Sequence, residues 1–331
     1  MKRLAPPMRS CHDYPQKICP ANSRLRRGTA ASRYLSLVCG GCVAAIIRAK
    51  MGIAVSSGGL VVRESNSRHL DDVIFIYISL ERSTDRRADI EHQLQSNGFR
   101  HEWFRAVDGN QALEQWPDQK KRRFLRSHGR HVRPGEAGCY MSHLGALRQF
   151  LASPYDMAVI LEDDAVLVDP DRLRRVLSPS NRSSYDLLRL QSRRRYRSLP
   201  MEVLDDGTAL SINWTRSTGS TGYAVNRKAA AALLATLSDM EVPFDHAFDR
   251  PQRHRLKYRH IRPALIDYRD GPSTIETTRP AKAGALIKAS TLVWRAKSEI
   301  GRFVHALSAF SWFKMMGRSR GLASAPAMPS R

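Results

Sequence analysis

Residues 73–80, VIFIYISL, decide the fold: the run is apolar at both alternating sets of positions and rich in β-branched and aromatic side chains. A strand that is apolar on both faces is buried between two layers, as in the sheet of an α/β protein, so an α/β class follows. Working outward, Thr84 is placed to cap a helix, Ile90 and Leu94 give that helix an inner face, and Gly98 stops it. His101 to Val107 then reads as a second strand ending in the turn Asp108-Gly109, which completes a β-α-β unit. The polar, basic stretch 110–134 is predicted to be a loop. A helix opens near Pro134 to Glu136, with Ala137, Tyr140, Met141, Leu144, Leu147 and Leu151 recurring at helical spacing.

Next comes MAVILEDD, residues 157–164, an apolar strand that ends abruptly in Glu162, Asp163 and Asp164. Carboxylates packed this tightly repel one another, so the cluster is either an acidic turn or a site completed by a cation or substrate. Beyond it, 185–190 and 222–225 read as strands and 227–237 as an Ala-rich helix; the arginine-rich segment 191–200 is a solvated or anion-binding loop. The alternation predicts a mainly parallel central sheet flanked by helices, with ligands beyond the carboxyl ends of its strands. Three landmarks fall at such ends: Ser79 to Arg82, Asp108-Gly109, and Glu162 to Asp164.

The 331 residues carry a formal charge of +23. Residues 1–63 hold 11 Lys or Arg and one acid, residues 281–331 hold nine and one, and only +5 remains on 64–280. A nucleic-acid-binding domain would carry its basic stripe on the folded core, so no nucleic-acid partner is expected. The competing reading, a nucleic-acid binder driven by net charge, predicts steeply salt-dependent binding that survives loss of Asp164. Five cysteines, Cys11, Cys19, Cys39, Cys42 and Cys139, form no disulfide framework and point to a reducing, cytoplasmic compartment. The apolar run Tyr34 to Ile47 follows an arginine-rich lead but falls short of the roughly 20 residues that span a bilayer. Three regions result: a basic extension at 1–70, outside the fold or ahead of the true start; a main domain at 71–280; and a basic tail at 281–331.

Five segments together resemble glycosyltransferase family 25, which includes bacterial lipooligosaccharide and procollagen galactosyltransferases: IYISLERSTDRR at 76–87, FRAVDG at 104–109, GEAGCYMSHLGAL at 135–147, VILEDDAVL at 159–167 and GSTGYAVNRKAAAALL at 219–234. Ser79 stands where the family usually has Asn, and Ser220 where it usually has Thr. The resemblance implies a GT-A fold, a UDP-sugar donor, a glycan or glycolipid acceptor such as lipopolysaccharide, and Mn²⁺ or Mg²⁺ held by Glu162 and Asp164. Asp163 is expected to face away from the metal, since neighbouring side chains of an extended segment alternate. The family's inverting chemistry implies a base, with Asp245 the first candidate and Glu136 and His143 the alternatives. Ser79, Leu80, Arg82, Arg86, Asp108, Gly109, Asp163, Gly222 and Tyr223 complete the candidate donor contacts. A degenerate member that binds glycans without turnover is a further alternative.

In the tail, Ile300, Phe303, Val304, Leu307 and Phe310 recur at helical spacing, with Lys288, Arg295, Lys297, Arg302 and Lys314 around them. Such a helix either lies on an anionic membrane surface, here the cytoplasmic face of the inner membrane, or packs on the main domain.

Overall fold

The computed structural model describes residues 70–191, 196–269 and 285–315. The extension through residue 69, with Cys39 and Cys42, lies outside the described residues, as do Arg193, Arg194 and Arg195. The elements are β1 Val73–Ser79, α1 Thr84–Ser96, β2 His101–Arg105, α2 Gly109–Glu114, α3 Asp118–His128, α4 Pro134–Ala152, β3 Met157–Glu162, β4 Ala165–Leu167, α5 Pro170–Val176, α6 Pro179–Arg182, β5 Leu187–Arg189, β6 Ser198–Val203, β7 Ala209–Asn213, β8 Gly222–Asn226, α7 Arg227–Thr236, α8 Phe244–Phe248, α9 Pro251–His254, β9 Tyr258–Arg262, β10 Ile266–Tyr268 and α10 Ala285–Met315.

One sheet runs in the order β2-β1-β3-β8-β5-β9-β7-β6, beside a β10-β4 ribbon. β1 pairs in parallel with β2 and β3, and β5 with β9; β8 runs antiparallel between β3 and β5, and β7 antiparallel between β9 and β6. Six of the eight strands therefore share a direction, but their ladders are mixed, because reversed β8 separates β3 from β5.

The doubly apolar run behaves as its pattern requires. Ile74, Ile76 and Ile78 of β1 enter one core cluster with Tyr140, Leu144 and Leu147 of α4. Val73, Phe75 and Tyr77 enter the opposite one with Ile90 and Leu94 of α1. Each such side chain contributes about 1.5–3 kcal/mol on leaving water, so a one-residue slip of β1 would exchange its two faces at heavy cost.

The expected loop at 110–134 instead contains α2 and α3. α3 is highly polar because one narrow face is covered: Phe124 is buried, and Gly129 closes the helix in the left-handed region at φ 89°. Thr84 does not cap α1 either. Ser83 holds the N-cap position with no side-chain capping bond, while the Thr84 hydroxyl donates to Asp85 at 3.2 Å.

Helix α10 packs on α3, α9 and the β6–β7 hairpin. Arg302, expected among the solvated basic residues, is 1% exposed. Its guanidinium donates to the Asp249 carbonyl at 2.6 Å and lies 3.3 Å from that residue's carboxylate, which also faces Arg189 at 3.5 Å. Burial pushes the Asp249 carboxyl up, opposed by Arg302 and Arg189. The outer face of α10 leaves Leu292, Val293, Ile300, Phe303, Val304 and Leu307 exposed. Among the described residues, no helix is long and apolar enough to cross a membrane.

Candidate active site

The carboxyl ends of β1, β2 and β3 open into one cleft of about 290 Å³. β1 supplies Ser79 and Leu80; the turn into α1 and its first residues supply Arg82, Ser83 and Arg86; the β2–α2 turn supplies Asp108, Gly109 and Asn110. α4 contributes Gly135, Gly138, Cys139, Ser142 and His143, and β3 delivers Glu162 and Asp163. Thus the three strand-end landmarks meet at one edge, beyond the carboxyl ends of the parallel trio β1, β2 and β3, where parallel strands place their ligands.

Two glycines permit this convergence. A Cβ on Gly109 would stand 2.2 Å from the Pro134 carbonyl oxygen, and one on Gly138 would stand 2.7 Å from the Val107 carbonyl oxygen. The two backbones therefore touch at the cleft wall. Ser142 fastens the contact, its hydroxyl donating to the Gly138 carbonyl at 2.7 Å and accepting from the Val107 amide at 2.8 Å.

At the mouth, Arg82 donates to Asp108 at 2.8 Å, and this bond holds the Asp108 carboxyl below the ordinary carboxylate range. Asp108 also caps α2 by accepting from the Asn110 amide at 2.9 Å. Deeper in, Asp163 accepts from the Ser79 hydroxyl at 2.8 Å and lies 3.8 Å from Arg86. Burial raises its carboxyl, while Ser79 and Arg86 pull it down.

Asp163 faces the cleft, contrary to the alternation expectation. β3 stops at Glu162, and residues 163–164 form a turn, so strand alternation no longer governs them. Asp164 is not among the cleft-lining residues; its carbonyl accepts from the Arg269 amide at 2.8 Å.

Glu162 is held from the back. Ser220 donates to its Oε1, and His143 Nε2 lies 3.3 Å from the same atom. His143 is 1% exposed, stacks on Phe244 with ring centroids 4.1 Å apart, and meets the Tyr223 hydroxyl through Nδ1 at 3.1 Å. Burial pushes the Tyr223 phenol well up, as does Glu162 beside it, so Tyr223 remains neutral.

Several expected residues lie off the cleft wall. Glu136 is clamped by Arg130 and accepts from the Arg133 amide at 3.1 Å, so its carboxylate closes the N-terminus of α4. Gly222 packs against Ile266, and Tyr223 meets the site from behind, through His143. Asp245, in the first turn of α8, accepts from the Gly219 and His246 amides at 3.1 and 2.9 Å. It is close enough to Cys139 to help raise that thiol, after burial and Glu162.

Residue-by-residue reading missed Cys139, Ser142 and Ser220 as members of the site. The available signal was spacing: Cys139, Ser142 and His143 stand at i, i+3 and i+4, one face of a helix.

The family model described as glycosyltransferase family 25 (LPS biosynthesis protein) matches residues 72–248. Two relatives named glycosyltransferase 25 family member, from Drosophila melanogaster and Anopheles gambiae, are 28% identical over 193 residues and 29% identical over 194. Each match covers 54% of this chain, but 31% and 32% of the relative, so the chain spans about a third of the length of those proteins. The crystal structure of A197 from STIV overlaps 62% of this chain and 99% of that one at 12% identity and a TM-score of 0.31, too low to bear on fold or function. With the matched span running from β1 through the cleft to α8, this chain belongs to glycosyltransferase family 25.

Proposed function

We propose that the chain is an inverting GT-A-type glycosyltransferase, moving a hexose, with galactose the leading candidate, from a UDP-sugar to a lipopolysaccharide-type glycan. One observation carries this reading: four of the five family-like segments line a single cleft, and the fifth backs it through Ser220 and Tyr223. The cleft is also chemically suited to such a donor. Arg82, Arg86 and the N-terminus of α1, which has no side-chain cap, face the space that a diphosphate would occupy. Asp108 and Asn110 offer polar groups for ribose or uracil.

In the reaction assigned here, the acceptor oxygen attacks the anomeric carbon while the bond from that carbon to the diphosphate oxygen breaks, and UDP leaves with the electron pair. Asp245, set off the cleft wall on the Cys139 side and fixed by two backbone amides, is the proposed acceptor of the hydroxyl proton from an acceptor entering on that side. The Mn²⁺ or Mg²⁺ implied by the resemblance does not fit Glu162 and Asp164 as a pair, because Asp164 is absent from the cleft wall and Asp163 is present. No step is therefore assigned through that pair.

The acceptor would be presented by a membrane at the cytoplasmic face. In support, the exposed apolar stripe of α10 is flanked by exposed Lys288, Arg295, Lys297 and Lys314, a charge pattern complementary to an anionic bilayer.

A donor screen tests the catalytic reading: UDP release from UDP-hexoses, with divalent ions or EDTA, by wild type and by Asp163→Ala and Asp245→Asn. Donor-specific release that falls at least tenfold in both variants is expected. Release by none of the donors, or release indifferent to both substitutions, refutes the assignment.

A further inference from the structure

We propose that the cleft binds a thiophilic divalent cation, Zn²⁺ or Co²⁺, through Cys139, His143 and Glu162 rather than a hard cation through Glu162 and Asp164. Cys Sγ, a His ring nitrogen and a Glu oxygen of these residues all lie within 4.8 Å of one another. In a tetrahedral site with metal–sulfur near 2.3 Å and metal–nitrogen near 2.0–2.1 Å, ligand atoms stand roughly 3.3–3.6 Å apart. His143 Nε2 and Glu162 Oε1, at 3.3 Å, already have that separation, so only about an ångström of side-chain adjustment by Cys139 completes the set.

Three further features make this a built arrangement. Cys139 and His143 come from successive turns of α4, a rigid buried helix, and Glu162 from the last position of β3. The Tyr223 hydroxyl, 3.1 Å from Nδ1, fixes the imidazole, and in the tautomer that donates from Nδ1 to this oxygen Nε2 is left as a lone-pair ligand on the Glu162 side. Such a bond on the far nitrogen is how protein structures orient metal-binding histidines. Ser220 holds Glu162 in place by donating to Oε1, the oxygen that faces His143, which has lone pairs for both a hydroxyl and a cation.

All three residues line the cleft, so a cation held by them keeps an open position facing the space assigned to the donor diphosphate. Three protein ligands and one open position form a catalytic type of zinc site, and the sulfur ligand selects Zn²⁺ or Co²⁺ over Mg²⁺. Coordination expels the Cys139 thiol proton to solvent and forms the sulfur–metal bond. The ion's role at the leaving diphosphate rests on the glycosyltransferase reading; its binding does not.

The test uses the full chain with Cys11, Cys19, Cys39 and Cys42 replaced by Ser, stripped with chelator and titrated with Co²⁺ alone. One equivalent should bind, with a near-ultraviolet sulfur-to-cobalt charge-transfer band and the visible bands of a tetrahedral ion. Cys139→Ser should abolish the charge-transfer band and weaken binding at least 100-fold. Tyr223→Phe should keep the band and weaken binding roughly 10–100-fold. Asp164→Asn should change neither, and thermal melts confirm that each variant is folded. Absence of the band in the parent chain, binding that is unchanged in Cys139→Ser, or loss of binding confined to Asp164→Asn overturns the proposal. Because the readout needs no turnover, any of these outcomes leaves the donor screen to judge the transferase reading separately.

Discussion

Asp249 is the carboxylate whose removal should be felt most widely. Its side chain is 1% exposed and lies 3.3 Å from Arg302 and 3.5 Å from Arg189, both also 1% exposed, while its Oδ2 accepts from the Ser217 amide at 2.9 Å. Asp249→Ala leaves two buried guanidinium groups with their shared counter-charge gone. Breaking a buried pair from one side costs about 3–5 kcal/mol, against a total stability on the order of 5–15 kcal/mol. At about 2–4 °C per kcal/mol for a domain of this size, Tm should fall by about 6–20 °C in a calorimetric scan. The double variant Asp249→Ala/Arg302→Met should lose less than the sum of the two single variants, since one substitution already strands the other's partner. The same change frees the Ser217 amide at the start of the loop that places Ser220 on Glu162, so cobalt or donor affinity should fall along with stability. A loss below about 1 kcal/mol, or strict additivity in the double variant, would refute the idea that this buried network locks α10 to the sheet.

Gly138→Ala should destabilise by roughly 1–3 kcal/mol and weaken UDP binding, because its new methyl meets the Val107 carbonyl; a crystal structure or UDP titration identical to wild type would contradict this. Replacing Ile300 and Leu307, 64% and 45% exposed, by Glu should leave the Tm within about 1 °C yet abolish co-sedimentation with phosphatidylglycerol vesicles; retained binding removes α10 from the membrane account. Burial lowers the His254 pKa from its ordinary 6.5 to about 4, so the unfolded chain binds this proton first as pH falls. The associated stability is present above pH 6.5, shrinks between 6.5 and 4, and is down by about 2 kcal/mol at pH 5; thermal melts of His254→Asn should show a shallower decline over that window.

The α/β class was legible because VIFIYISL and MAVIL are apolar on both faces, and both strands do separate two cores. Helix α4 was legible from its apolar spacing, and the site edge from the strand ends. β7 and β9 were not, since Ser211, Asn213 and His260 are buried there and hydrogen-bond between the two strands, which erases the apolar pattern. α3 was hidden by its polarity. At the site, the acidic cluster was found, but strand alternation stops with the end of β3, and Asp163 lines the cleft where alternation would turn it away. Cys139 was read as one of five cysteines that form no disulfide framework and as part of the segment 135–147; its closeness to both His143 along one helix and Glu162 across the fold shows only once the chain is folded.

A nucleotide-sugar cleft at the β1, β2 and β3 ends should bind UDP, which calorimetric titration of UDP into the full chain and into Arg82→Ala/Arg86→Ala measures. One UDP per chain is expected, with affinity reduced at least tenfold in the double variant while its Tm stays within a few degrees of wild type. No UDP binding by the wild type, or equal binding by the two proteins, would contradict the account.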